Sequence, residues 1–246
     1  MEYVGFANYL RLLTDMDFWF AFKNNVILIV LCIVLQIGIA LVLSLLLTSK
    51  IIKLKEIHRT VIFFPAVLSP VVVGILWTLI YNKDIGILNW FLRSAGLKSL
   101  IKPWLDDPSG IMFYVSLPVI WQYIGIYLMI FVASIKSIPN EILEVAELDG
   151  VSGVKRSVYI IIPLLFDTLK LAIMLSIAGN IKIFDHIYIL TGGGPGKSSM
   201  VMAQYAYINS FKMFKFGYSS AISIGMLILS FLLIMISRKL SPSTDI

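Results

Sequence analysis

Few residues in this chain carry chemistry, and those that do are scattered through apolar sequence. Asp167, Lys170, Lys182 and Asp185 are ionisable groups in one long apolar stretch, with Ser176 and Asn180 between them. Ionisable groups inside such segments are costly and are functional suspects. Their i, i+3 spacing reads as two self-neutralising pairs, Asp167 with Lys170 and Lys182 with Asp185, near the two edges of a span. Ser176 and Asn180 are four residues apart and share a helical face toward the span's middle. Uncharged hydrogen-bonding groups there suit a solute with many hydroxyls and no charge. They suit helix–helix hydrogen bonding equally well, and residue types alone leave both open. Gln122 and Tyr123, beside Trp121, are a weaker pair of the same kind. Thr191-Gly-Gly-Gly-Pro-Gly-Lys197-Ser198 nearly spells the phosphate pattern G-x-x-x-x-G-K-[ST]. Its first position is Thr191, however, Pro195 removes an amide, and the pattern needs a parallel sheet around it. The segment is therefore read as a flexible external turn. His58 and His186 have no partner set for catalysis, and no metal-ligand spacing or cofactor motif is present. The chain is expected not to be an enzyme.

The elements that position these residues are set by composition. Apolar residues make up 59% and charged residues 14% of the 246 residues, and mean hydropathy is +0.93. Soluble domains carry roughly 25% charge, so a water-facing globule is excluded. Five stretches, Val26–Thr48, Thr60–Tyr81, Ile111–Ile135, Tyr159–Leu190 and Ser219–Ser237, can each supply the roughly 20 residues of a spanning helix. The expected fold is an all-α, polytopic transmembrane helical bundle. The alternating segments of a β-barrel do not occur. A net charge of +6 does not form one basic patch, so nucleic acid is not expected as a partner. Lys50, Lys53, Lys55 and Arg59 fill the short first loop, and Arg238 and Lys239 follow the last span. Both places read as cytoplasmic. Residues 1–23 then form an external segment, 24–240 the transmembrane domain and 241–246 a cytoplasmic tail. Trp90 and Trp104 are expected at the bilayer surface, and Pro65 and Pro70 are potential kinks in the second span.

Between the third and fourth spans, segment 139–152 reads as a short amphipathic helix. Asn140 is the expected N-cap, and Glu141 and Glu144 favour its positive end. Ile142, Val145 and Ala146 share a face, and Gly150 is placed to end the helix left-handed. A helix lying on an anionic leaflet would be basic, whereas this one is acidic, which favours docking of a soluble partner.

Glu144-Val-Ala146, then Asp149-Gly150, then Ile160, Ile162 and Pro163, resembles the EAA loop of permease subunits in ATP-binding-cassette importers. The spacing fits throughout, with Val145, Ser157 and Ile162 as departures from the common residues. Leu190-Thr-Gly-Gly-Gly-Pro-Gly196, Phe216-Gly217-Tyr218 and the opening Gly5-Phe6-Ala7-Asn8-Tyr9 are similar to the maltose/glycerol-phosphate-type sugar branch. The resemblance implies a type I importer permease in a bacterial or archaeal cytoplasmic membrane. It implies that Glu141, Glu144, Ala146, Asp149, Gly150 and Pro163 couple to an ATPase. Ser176 and Asn180 would face a sugar, and Gly192, Gly193, Gly194 and Pro195 would contact a binding protein. Implied partners are a second homologous permease subunit in a heterodimer, two ATPase subunits, an extracytoplasmic solute-binding protein and membrane lipid. Such subunits usually have a helix before the first span seen here, so an N-terminal truncation is expected. The rival reading is an ion-coupled secondary transporter or channel using the intramembrane Asp and Lys residues. Such a protein has no need of the acidic helix.

Overall fold

The computed structural model describes residues 4–49 and 52–240; Lys50 and the 241–246 tail lie outside the described residues. Among the described residues every regular element is a helix.

Helix α1, Ala7–Thr14, is followed by Asp15. The Asp15 carboxylate accepts the Asp17 and Phe18 N–H groups at 3.0 and 3.3 Å, and so caps α2, Met16–Thr48. The first span thus begins well ahead of Val26, inside the segment expected to lie apart from it. Aromatic residues mixed with Asp17 and Lys23 hide those turns from hydropathy. Midway, α2 loosens to a π-helical stretch at Cys32–Ile37. There the buried Gln36 donates to the Ile120 carbonyl at 3.4 Å.

The second span is not one helix. Helix α3, Lys55–Phe63, tightens into a 3₁₀ turn at Phe64–Val67, and α4 is Pro70–Ile80. Pro70 forces Ser69 into an extended conformation (ψ 136°), which breaks the span. The freed Leu68 carbonyl accepts the Gln122 side-chain amide at 2.7 Å. A backbone group opened inside a membrane needs such a partner.

The following connection holds a short helix, α5, Ile87–Ser94. Fully buried Asn89 organises it, donating to the Lys83 and Lys102 carbonyls at 3.1 Å each and accepting the Trp104 indole N–H at 2.9 Å. Trp104 therefore packs inward, edge-on to Tyr114, whereas Trp90 is exposed as its type suggested.

Helix α6, Ile111–Lys136, contains Pro118, and α7 is Asn140–Leu148. Helices α8, Gly153–Leu164, and α9, Phe166–Asn180, meet at a 68° bend. The expected Tyr159–Leu190 span therefore ends at Asn180. A separate α10, Asp185–Leu190, follows. Helix α11, Met202–Tyr207, and α12, Phe216–Leu240, complete the chain. Among the described residues, helices α2, α6 and α12 are long and apolar enough to span a membrane, and the number is five if each broken pair counts as one span.

The helices form two compact units: the chain up to Leu31 with Ser69–Val119 and Ile177–Leu233, and Cys32–Leu68 with Ile120–Ser176 and the chain from Ile234. In the second unit, Ile37, Ala40 and Leu47 of α2 pack with Tyr127, Leu128, Phe131 and Val132 of α6 and Ala172 of α9. Helix α6 crosses α3 at Gly125, where a Cβ would lie 2.5 Å from the Ile62 carbonyl oxygen and the Phe63 Cα. Small residues allow such backbone contact where lipid offers no hydrophobic drive. Because only backbone opposes the added group, Gly125→Val is expected to cost about 3 kcal/mol, the upper end for overpacking. Thermal unfolding in detergent checks this, and an unchanged midpoint would show that α3 and α6 separate freely.

Candidate functional site

Helix α7 starts one residue earlier in its motif than Asn140 as cap requires. Pro139 occupies the N-cap position in an extended conformation, Asn140 is the first helical residue, and no side chain caps the turn. Glu141 lies in the first turn, and Glu144 is exposed beside it. The other end is closed firmly. Gly150 has φ 76°. Its N–H donates to Glu147 O at 3.1 Å, and the Val151 N–H donates to Ala146 O at 2.8 Å. These are the two bonds of a Schellman cap, whose left-handed position favours glycine.

The buried face of α7 differs from expectation. Ala146 is buried, and Leu143 packs on Ile135, Ile161 and Leu165. Ile142 and Val145 point outward with Leu148, which is 87% exposed. The helix has apolar residues on two faces that share only Ala146, and period alone does not say which one meets the protein. The result is an exposed apolar row, Ile142–Val145–Leu148, flanked by Glu141 and Glu144 and held on a packed base. Asp149 is exposed next to the cap, and Pro163 is half-buried near the end of α8.

The glycine loop is hydrogen-bonded throughout rather than an open turn. Thr191 Oγ1 and Ser199 Oγ are 2.7 Å apart, Ser199 donates to Gly194 O at 2.7 Å, and the Gly193 N–H donates to Thr191 Oγ1 at 3.1 Å. Gly192, Gly193 and Gly196 take positive φ, and the Gly194–Pro195 peptide is cis. Asn24 pins the loop's exit by donating to Ser198 O at 3.1 Å and Met200 O at 2.9 Å. Lys197, the lysine of the near-phosphate pattern, pairs with Asp17 at 2.6 Å. The residues before the loop form α10, not a strand. Phosphate chemistry is accordingly absent from its geometry.

Two anchors beside this loop escaped the sequence reading. Asn25, fully buried, donates to Asn180 O at 2.8 Å and Ile181 O at 3.2 Å and accepts the Met202 N–H at 2.9 Å. Asp15 accepts the hydroxyls of Tyr205, at 2.6 Å, and Tyr218. The Arg11 guanidinium lies 4.3 Å from the Tyr218 ring centroid. The only sequence signal is an Asn pair at the start of an apolar run.

Burial raises the Asp15 pKa, but the Tyr205 and Tyr218 hydroxyls and the Phe18 and Asp17 amides outweigh it, leaving the carboxyl below its ordinary 3.8. Burial, then the bond to Asp15, pushes the Tyr205 hydroxyl up to about 12. A depressed carboxylate pKa contributes stability above its unfolded value and loses it as pH falls through the folded one. Asp15→Asn should therefore melt about 2–4 °C below the parent chain at neutral pH. The gap should narrow below about pH 4. A gap independent of pH would remove the carboxylate from this account.

The polar residues of the spans are mostly committed within the protein. Asp167 and Lys170 pair at 3.0 Å. Among the described residues no ion pair joins Lys182 to Asp185, because the helix has broken between Asn180 and Asp185. Ser176 is fully buried and hydrogen-bonds the Tyr127 hydroxyl. Asn180 is buried at the end of α9, with its carbonyl held by Asn25. Gln122 is the strut under Leu68, and Tyr123 is half-buried beside the α2–α6 core.

Comparison with known proteins agrees with this architecture. The profile of the binding-protein-dependent transport system inner membrane component family matches residues 36–246. A probable ABC transporter permease protein of Bacillus subtilis, YurN, is 36% identical over 96% of this chain and 82% of its own. The trehalose/maltose transport system permease protein MalF of Thermococcus litoralis is 30% identical over 94% of this chain and 78% of its own. In fold, the chain matches the crystal structure of a bacterial ABC transporter involved in alginate import. The TM-score is 0.87 at 20% identity, covering 98% of this chain and 84% of that one. The family assignment sets aside the ion-coupled alternative and any enzymatic role. By the profile match and these relatives, this chain of whole and broken apolar helices belongs to the inner-membrane components of binding-protein-dependent transport systems, the permease subunits of ATP-driven importers.

Proposed function

We propose that this chain is the permease subunit of a sugar importer in a bacterial or archaeal cytoplasmic membrane, with α7 as the element that an ATPase subunit grips. The observation that carries the reading is the exposed row Ile142–Val145–Leu148 on a helix fixed at both its base and its C-terminus. Apolar side chains so exposed on a rigid acidic helix mark a partner surface. In this reading Glu141, Glu144, Ala146, Asp149, Gly150 and Pro163 form and support the coupling segment 139–152. ATP-driven closure of two ATPase subunits moves α7, and the bundle opens alternately to the two sides. A second, homologous permease subunit supplies the other half of the pathway.

The charge rule places α7, the α2–α3 loop and the 241–246 tail in the cytoplasm, and α1 and the glycine loop outside. Gly192, Gly193, Gly194 and Pro195 then face the extracytoplasmic solute-binding protein, on a loop stiff enough to transmit a docking event. A sugar or similar polyhydroxylated solute is supported by the trehalose/maltose relative, and Ser176, Asn180, Gln122 and Tyr123, buried or packed within the protein here, meet it only when the helices rearrange. The test is co-purification from membranes of the native host. An ATP-binding protein should accompany the parent chain and be lost from Val145→Asp/Leu148→Asp, while the permease itself remains folded. An ATP-binding protein retained by that variant would remove α7 from the interface.

A further inference from the structure

Beside α7, on its Leu143 side, lies a second feature. A cleft of about 370 Å³ is bounded by the end of α2, the start of α3, the end of α6 and the first turn of α7. Lys55, Arg59 and Lys136 line it against one carboxylate, Glu56, so three positive charges less one negative leave +2. Arg59 is only 6% exposed. Its guanidinium donates to Glu56 through one terminal nitrogen, but Nε is buried with no hydrogen-bond partner. An unsatisfied buried donor is costly, more so on a charged group. Asn140, also on the cleft wall, opens α7 without a side-chain cap; the Ile142 N–H donates to the Pro139 carbonyl at 3.2 Å, and no side chain serves the turn's other amides. The C-terminal ends of α2 and α6 offset part of the positive potential but supply nothing to Arg59 Nε.

We propose that this cleft binds a phosphate-type oxyanion. Such an ion accepts from Arg59 Nε, is neutralised by Lys55 and Lys136, and meets the positive end of α7. The volume lies in the range of small-ligand sites and leaves room for an ester substituent besides the phosphate. Two sources share this chemistry: the headgroup of an anionic phospholipid and a soluble phosphate compound. Either one, once bound, ties the first turn of α7 to α3 and α6. Every residue of the cleft wall comes from this chain.

The test uses the full chain, with whatever subunits accompany it, purified in a neutral detergent. Thermal unfolding is followed on adding inorganic phosphate, or on transfer to nanodiscs of phosphatidylcholine with and without phosphatidylglycerol, at constant ionic strength. Lys55→Gln/Lys136→Gln, altered at accessible positions, is compared with Arg59→Gln. The expected result is stabilisation by one probe and an affinity at least about tenfold weaker in the lysine variant, equivalent to roughly 1.4 kcal/mol. A response to phosphatidylglycerol alone identifies the headgroup, and a response to inorganic phosphate alone identifies a soluble ligand. No response to either, or an equal response in a folded lysine variant, overturns the proposal and leaves Arg59 a structural cation.

Discussion

Asn25→Leu should prevent the chain from accumulating in a folded form, or lower its stability by about 3–5 kcal/mol. The estimate follows from the groups the amide serves. Past the C-terminal end of α9 the Asn180 carbonyl has only a long backbone bond, from the Ile183 N–H at 3.4 Å, and the Asn25 side chain donates to it and to the Ile181 carbonyl. Its oxygen accepts the Met202 N–H, one of the orphan donors at the start of α11. One side chain thus caps two helix ends in a fully buried place. Leucine fits the volume but takes the Asn25 bond from the Ile181 carbonyl and the Met202 N–H, each worth roughly 1–3 kcal/mol, and leaves the Asn180 carbonyl with its 3.4 Å bond from Ile183. Asn25→Asp separates capping from packing. It keeps the acceptor for Met202 but sets a carboxylate against two carbonyl oxygens, and should be no milder than leucine. Chemical denaturation of the purified chain measures the effect, and a loss under about 1 kcal/mol would mean that water replaces the amide.

Gly150→Pro should abolish transport, with the protein still inserted in the membrane. At φ 76° the position is closed to proline, whose ring holds φ near −65°. The substitution also deletes the N–H that bonds Glu147 O. The last turn of α7 must unwind, taking with it Leu148 and Asp149, while the helices that carry insertion are untouched. Gly150→Ala retains the N–H and pays only the left-handed penalty of about 1–2 kcal/mol, so it should keep part of the activity. The check is solute uptake alongside ATP hydrolysis in the reconstituted importer. Normal coupling in the proline variant would show that α7 transmits nothing through its C-terminal turn.

The two expectations differ in how visible they were beforehand. Gly150 was legible because a helix of this length followed by glycine has few other ways to end. Asn25 was not, since a polar residue near the start of an apolar run looks the same whether it faces a ligand, lipid headgroups or a helix terminus distant in sequence. Gln122 makes the same point from the other side. Its type suggested a solute pathway, yet its amide supports the carbonyl opened by Pro70. The break itself was half-visible, as Pro65 and Pro70 marked a weak point but left kink and rupture undistinguished.

By itself the sequence determined that the chain is helical and membrane-embedded, roughly where five spans fall, and that an acidic helix ending at Gly150 lies between two of them. These features follow from hydropathy, which is summed over some twenty residues, and from local backbone preferences, which need no distant partner. Tertiary structure alone decided which face of α7 is left open, whether the glycine loop is slack or braced, and which buried polar groups hold the fold together. Each of those outcomes depends on which donor meets which acceptor across long separations in sequence, and periodicity carries no record of that pairing.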